Sequence, residues 1–480
     1  MAERSIRNLL QQTLEEAVDF YDNLDARSVA ATAGYQTLRA RFDRELPDEG
    51  VPDEAVIRDL VRDVEGGLLG SGGPRFFGWV VGGALPAAVA ADWLASAWDQ
   101  NNAIYACSPA HGVIEEVCGE WLKDVLRLPK SASFGFTTGC QMAHVTALAA
   151  ARHRLLGERD WDVEKRGLFG APPIRVITGE HAHGSILRAL RFLGLGTESL
   201  RRVRCTEDGP IDVDELRRKL KEIESESESR DASAIIVLQA GDIDTGAFDP
   251  FPEVCALARE HRAWVHVDGA FGLWANASPE YRHLLDGCDQ ASSWATDGHK
   301  WLNLPFDNGF VFVNDREAHR ASMRIMESYF VAPDAGARDQ MEFNPEWSRR
   351  SRSLPAYAAL RSLGRRGVAE IVERCCRLAK RLVSEIGALD GAEILSEARI
   401  NQGLVRFTSP DGRHDERTDA VIGAVRDGGE AWFGGTTWRG KRAMRISVCS
   451  FRTTDDDVDR TVDAVRRAID ELGGDSAHTR

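Results

Sequence analysis

The chain has 480 residues, 43% hydrophobic and 28% charged, enough to bury a sizeable core in about two or three domains. Its net charge of −15 argues against nucleic acid or an anionic membrane as the main partner. The nine cysteines are odd in number, with no CxxC spacing and one adjacent pair, Cys375-Cys376. That usage excludes a disulfide framework and a cysteine zinc site, and it fits a reducing cytoplasm.

In chain order, the N-terminal residues lack an apolar signal core. The apolar run from Val80 to Ala91 is short, contains Pro86 and ends at Asp92, so no membrane segment is expected. Ile6, Leu9, Leu10, Leu14, Val18, Phe20 and Leu24 recur at helical spacing and predict a helix over 6–29. Pro52 heads a second helix around 53–61. Two such helices cannot bury both apolar faces by themselves and must pack on something. A turn at 71–79 leads into aromatic residues, and a helix is expected over 113–126. Trp79 and Tyr105 either line an apolar pocket or fill the core.

Ser133–Phe136 reads as a strand, followed by Thr137-Thr138-Gly139 and a helix beginning at Cys140. A strand, a hydroxyl-glycine turn and a helix N-terminus form a ready anion cradle, although the same turn is also an ordinary helix cap. The stretch 174–185 reads as a strand ending in His181-Ala182-His183. Two histidines on one strand face would suit zinc, but no third ligand with plausible spacing stands nearby, and no metal is expected. Residues 222–230 form a charged low-complexity run, hence an exposed helix end or loop. The next buried strand, 234–240, precedes Gly241-Asp242.

Ala263–Asp268 reads as a buried parallel strand ending abruptly at Asp268-Gly269, with His266 and Asp268 on one face. Ligands of open α/β sheets sit just beyond such ends, and a carboxylate there needs a cation or a hydrogen-bond donor. About thirty residues on, Lys300 lies between His299 and Trp301 in apolar surroundings. It either snorkels over an apolar edge or, desolvated, has a lowered pKa and a neutral amine able to form a Schiff base. A carboxylate for a pyridinium nitrogen and a Schiff-base lysine are the equipment of a pyridoxal 5'-phosphate site. No GxGxxG follows a first strand, which leaves a nucleotide-dependent dehydrogenase poorly supported.

The remainder reads as a strand over 306–313, a variable stretch from Met323 to Trp347, a long helix over 368–386, strands at 403–407 and 443–448, and a last helix to Leu472. Arg349-Arg350-Ser351-Arg352 reads as surface or interface salt bridges, and Arg445 as a structural ion pair.

His266-Val267-Asp268-Gly269-Ala270-Phe271-Gly272 followed by Thr296-Asp297-Gly298-His299-Lys300-Trp301-Leu302-Asn303 resembles the group II pyridoxal-phosphate-dependent amino-acid decarboxylases, from about Pro74 to the C-terminus. The resemblance implies the type I (aspartate aminotransferase) α/β fold: an N-terminal helical arm over 1–75, a large cofactor domain with a mostly parallel sheet over 76–353, and a small α+β domain over 354–480. It implies decarboxylation of an L-amino acid to amine and CO2 through a Lys300 Schiff base, in a cytoplasmic homodimer whose arm wraps the partner subunit.

Carried over residue by residue, Thr138, Gly139 and Cys140 hold the phosphate, with Met142 and His144 replacing the family's acid and asparagine. Asp268, Ala270, His299 and Lys300 complete the cofactor set. His183 stacks on the ring and contacts the substrate carboxylate, and Tyr329, in register with the family's loop tyrosine, assists catalysis. The stretch 323–347 resembles the family's mobile catalytic loop. Asp242 departs from the threonine usual after the preceding strand. Two rivals remain: oxidative deamination to an aldehyde, where relatives carry phenylalanine at the loop position, and a cofactor-binding pseudoenzyme without turnover.

Overall fold

The computed structural model describes residues 2–226, 233–325 and 336–474. They form two compact units, Gly82–Lys380 with Ser396–Gly403, and Met1–Val81 with Arg381–Leu395 and Leu404–Arg480. The domain division expected at 353/354 falls at the head of one 35-residue helix, Ser353–Gly387, interrupted only at Gly364. The unit boundary at 380/381 lies near that helix's other end. No helix among the described residues is long and apolar enough to cross a membrane.

The larger unit is built on β1 (Ser133–Thr137), β2 (Ile174–Gly179), β3 (Leu200–Val203), β4 (Ser233–Gln239), β5 (Trp264–Asp268), β6 (Ser293–Asp297) and β7 (Gly309–Val313). They pair in the order β1-β7-β6-β5-β4-β2-β3. Strand β7 is antiparallel to both of its neighbours, and all the other pairs are parallel. Continuous apolar runs such as Ser-Ala-Ile-Ile-Val-Leu-Gln of β4 are buried from end to end, as strands covered on both faces must be. Thr137, Gln239, Asp268 and Asp297 therefore all stand at the carboxyl edge of the sheet.

Two helices precede the sheet in this unit. The chain up to the sheet carries α1 (Ala2–Asp22), α2 (Tyr35–Phe42) and α3 (Asp53–Val64) in the smaller unit, then α4 (Pro86–Trp98) and α5 (Pro109–Val125) in the larger. After β1 comes α6 (Cys140–Gly157), whose small side chains let it lie close on the sheet. Ala143, Ala147, Leu148 and Ala151 share one core cluster with Val176, Val237, Ala295 and Val311. The arginine run read as surface or interface salt bridges is largely buried within this chain. Arg349 is buried and pairs with the fully buried Glu115 of α5, which also accepts from Asn102 Nδ2 at 2.8 Å. Arg352 is buried beside Asp307, and Arg350 pairs with Asp92 of α4. The cause is the depth of Glu115, a carboxylate that burial alone would push up in pKa and that needs a cation to stay charged.

The smaller unit carries a four-stranded sheet of β8 (Ala392–Ser396), β9 (Gln402–Phe407), β10 (Gly434–Trp438) and β11 (Lys441–Ser447) in the order β10-β11-β9-β8, with strand ends 396 and 402–403 counted in the larger unit. Helix α1 ends at Asp22, earlier than its apolar spacing suggests, and α2 falls between the two helices expected from the sequence. Ile6, Leu10, Leu14 and Val18 of α1 are each more than 40% exposed, as are Val56 and Leu60 of α3. Their four-residue spacing makes a continuous apolar stripe on α1, so the burial demanded by the sequence is not met within this chain.

Gly309 opens β7 against the head of α6. A Cβ there would lie 2.5 Å from the backbone of Gly139. Gly309→Ala is expected to destabilise the protein by about 1–3 kcal/mol through overpacking, seen as a lowered Tm.

Candidate active site

Strand β5 is buried throughout, yet two of its five residues are polar. Buried polar groups need partners, and those of His266 and Asp268 define the site. Asp268 Oδ1 accepts the Ala270 N–H at 3.2 Å, and Oδ2 lies 3.4 Å from His144 Nε2. His144 Nδ1 is 2.9 Å from His266 Nε2, and His266 Nδ1 is 2.9 Å from Ser293 Oγ. Ser293 Oγ also accepts from Trp264 Nε1 at 2.9 Å.

Burial pushes the Asp268 carboxyl up, but the charge and hydrogen bond of His144, with His183 and Lys300, leave it below the usual carboxylate range. For His266 burial dominates, reinforced by His144, and the pKa falls to about 3, so this imidazole is neutral. The Cys140 thiol is pushed well up by burial and by the nearby Asp297 and Asp268 carboxylates. It stays a thiol, 3.4 Å from His144 Nε2.

The second half of the site is the head of α6. The Cys140 N–H donates to Asp297 Oδ1 at 2.6 Å. Asp297 Oδ2 is 3.1 Å from Lys300 Nζ, and His299 Nε2 stands 3.5 Å from Oδ1. A carboxylate thus already occupies a main-chain donor at this helix end, as the partial positive charge of a helix N-terminus favours. A Cβ on Gly139 would meet His299 Cε1 at 3.2 Å, so glycine keeps the cradle open.

Lys300 departs from the expected lowered pKa. Burial does pull it down, but the Asp297 and Asp268 carboxylates outweigh burial and hold it above the ordinary lysine value. Burial takes His299 below its ordinary value, with Asp297 opposing.

Lys300, Asp268, Ala270, His299, Gly139 and Cys140 are therefore brought together, with the half-buried Thr138 in the same turn. His183 lies within electrostatic range of Asp268. It is exposed and caps the helix Gly184–Phe192, its Nδ1 accepting from Ser185 N at 3.3 Å. Because β2 stops at Gly179, the two histidines do not share a strand face. His181 instead has its donor atoms near those of Glu180 and Cys205, a set that does not include His183.

Trp79, offered as a pocket residue, belongs to the smaller unit and packs on Trp432 with ring centroids 4.5 Å apart. Tyr105 is half-buried at the head of a short 3-10 turn, its N–H given to Asp339 Oδ1 at 2.9 Å. Asp242 shapes its own loop by accepting from Asp244 N, Thr245 N and Thr245 Oγ1. Tyr329 and part of the loop around it lie outside the described residues.

Sequence reasoning gave no role to Asp297 or Ser293, and it noted His144 only as a departure from the family's asparagine. The signal for Asp297 was its position three residues before the lysine.

A lysine and a carboxylate at adjacent strand ends, beside an anion-binding helix head, define a pyridoxal-phosphate site on a type I fold. The donor set suits that cofactor: an amine, a carboxylate held anionic and a glycine-opened cradle. Residues 36–409 match the Pyridoxal-dependent decarboxylase conserved domain, and the chain belongs to that family. It is 24% identical to an aromatic-L-amino-acid decarboxylase of Bacillus atrophaeus, over 98% of this chain and 97% of that one. It is 28% identical to an L-2,4-diaminobutyrate decarboxylase of Rhizobium meliloti (strain 1021), over 98% and 92%. The crystal structure of Oryza sativa TDC with PLP and tryptamine superposes with a TM-score of 0.90 at 21% identity, covering 98% of this chain and 99% of that one. The enzyme is accordingly a pyridoxal-phosphate-dependent amino-acid decarboxylase, a carboxy-lyase.

Asp297→Asn removes a negative charge from the cradle. The affinity of the apoprotein for pyridoxal phosphate is expected to rise about tenfold, roughly 1.4 kcal/mol, while that for pyridoxal without the phosphate stays level. Absorbance titration with the two ligands checks this.

Proposed function

We propose that this enzyme converts an L-amino acid to the corresponding amine and CO2 at the site formed by Lys300, Asp268 and the head of α6. The observation that carries the assignment is the Asp297 carboxylate bridging the Cys140 amide and Lys300 Nζ, because it ties the anion cradle to the amine. Bound there, the cofactor would supply an electron sink for the electron pair left at Cα as CO2 departs.

The chain's own groups then have distinct tasks. Lys300 contributes the amine that holds the cofactor covalently between turnovers. Asp268 presents an anion to the ring nitrogen. Thr138, Gly139 and Cys140 hold the phosphate, with His299 over Gly139. His183, exposed and within electrostatic range of Asp268, would pack against the cofactor and orient the substrate carboxylate. Tyr329 delivers the proton to Cα, an assignment that rests on its distance from Lys300 in the sequence.

The relatives named above include one acting on aromatic amino acids and one on L-2,4-diaminobutyrate, which sets the substrate panel. Incubation of the loaded enzyme with both kinds, and with glutamate, is expected to release CO2 and amine in equal amounts from one of them. Aldehyde with ammonia would instead identify the oxidative branch. Lys300→Ala is expected to lose the Schiff-base absorbance and at least about a thousandfold in turnover.

The same reading includes a homodimer in the cytoplasm, supported for the dimer by the uncovered stripe of Ile6, Leu10, Leu14 and Val18. Leu10→Glu combined with Leu14→Glu is expected to halve the mass measured by light scattering. An unchanged mass would remove α1 from the interface.

A further inference from the structure

We infer that Trp264, Ser293, His266 and His144 form a directional hydrogen-bond chain that holds Asp268 as an anion, making His144, His266 and Ser293 positioning residues. The inference rests on the pyridoxal-phosphate reading of the site and extends it to side chains that touch no cofactor.

One assignment of the protons gives each contact in the series a donor and an acceptor. Trp264 Nε1 can only donate, and it gives its proton to Ser293 Oγ at 2.9 Å. Ser293 has one hydroxyl proton, and His266 Nδ1 lies 2.9 Å away to accept it. His266 is neutral and owns a single N–H, which the bond from Ser293 places on Nε2. That N–H points at His144 Nδ1, 2.9 Å away, leaving the His144 proton on Nε2. His144 Nε2 faces Asp268 Oδ2 at 3.4 Å, where a carboxylate can only accept. In this assignment each donor points toward Asp268, and the last N–H, on His144 Nε2, is shared between Asp268 Oδ2 and the Cys140 sulfur, each 3.4 Å away.

All the members are buried, so no water competes for these bonds. With a pyridinium on its other side, Asp268 would have the countercharge it requires. The consequence for the ring is definite. Donors to Asp268 weaken it as a base, so the shared proton stays on the ring nitrogen. Reversing or cutting the chain strengthens Asp268 and draws that proton toward it.

The test uses full-length holoenzyme loaded with pyridoxal phosphate labelled with 15N in the ring, and compares wild type, His144→Asn and Ser293→Ala. His144→Asn keeps an N–H donor beside Asp268 but ends the chain there. Ser293→Ala is a small change at a residue that contacts His266 and Trp264, and Tm checks that it folds. The expected result is a protonated ring nitrogen in wild type and a 15N signal displaced toward the neutral form in both variants. With it, kcat is expected to fall by about 10- to 100-fold with little change in KM. Ser293→Thr, which restores the hydroxyl, should return the signal toward wild type.

A ring nitrogen equally protonated in all the folded variants overturns the chain, whatever happens to Tm, because a merely structural role moves stability and not this signal. A wild-type protein with no Lys300-dependent Schiff-base absorbance overturns the cofactor reading itself, and is told apart by that absorbance.

Discussion

Asp268 is a carboxylate at the end of a strand with no solvent on either face, only 7% exposed, and such a group is tolerated only when its surroundings supply donors or a cation. Its neighbours are arranged around that need. Ala270 turns its N–H back onto Oδ1, α6 places His144 against Oδ2, and the fully buried strands β5 and β6 bring His266 beside Ser293. A leucine at 268 would suit the packing of β5 better. The aspartate makes sense as the base of a cationic ring, since the same donors that keep it anionic prepare it for a pyridinium.

The opposite end of the site has the reverse electrostatics. Asp297 sets a negative charge on the main-chain donor of α6 and ties it to Lys300. A phosphate arriving there must share the cradle with this carboxylate or move it off the amide, and Lys300 is freed of its counterion by the same movement. One end is thus satisfied in advance, while at the other an internal carboxylate already occupies the helix-head donor.

Much of this was legible in the sequence where the signal is local. Asp268 at an abrupt strand end, Lys300 in apolar company and the Thr137-Thr138-Gly139 turn could each be singled out because the features that mark them are local in the chain. The fully buried strands were legible from their unbroken apolar runs. What was not legible depends on distant pairing. His144 lies 122 residues from His266, and Ser293 a further 27 beyond, so no spacing rule could place them in one chain. The charge on Lys300 was misjudged because apolar neighbours at 301 and 302 suggested desolvation alone, while Asp297 sits one helical turn back. Trp79 reads equally as a pocket or a core aromatic, and its contact with Trp432, remote in sequence, could not be read from spacing. The histidines at 181 and 183 read as one strand face because nothing local marks the end of β2 at Gly179.

The pairing of β7 bears on how the enzyme acquires its site during folding. Gly309 stands opposite Thr137 on one side and Asp297 on the other. The strand that joins the cradle to the lysine segment is thus laid between β1, more than 170 residues earlier in the chain, and β6. Contacts of such sequence separation form slowly, because the intervening loop must be closed before they are rewarded. A nascent chain that has already made β1 and α6 therefore owns a helix head without the aspartate, the histidine or the lysine that complete it. Cofactor capture becomes a late event, gated by insertion of a single reversed strand, and a cofactor that binds only the completed site stabilises that closure by mass action.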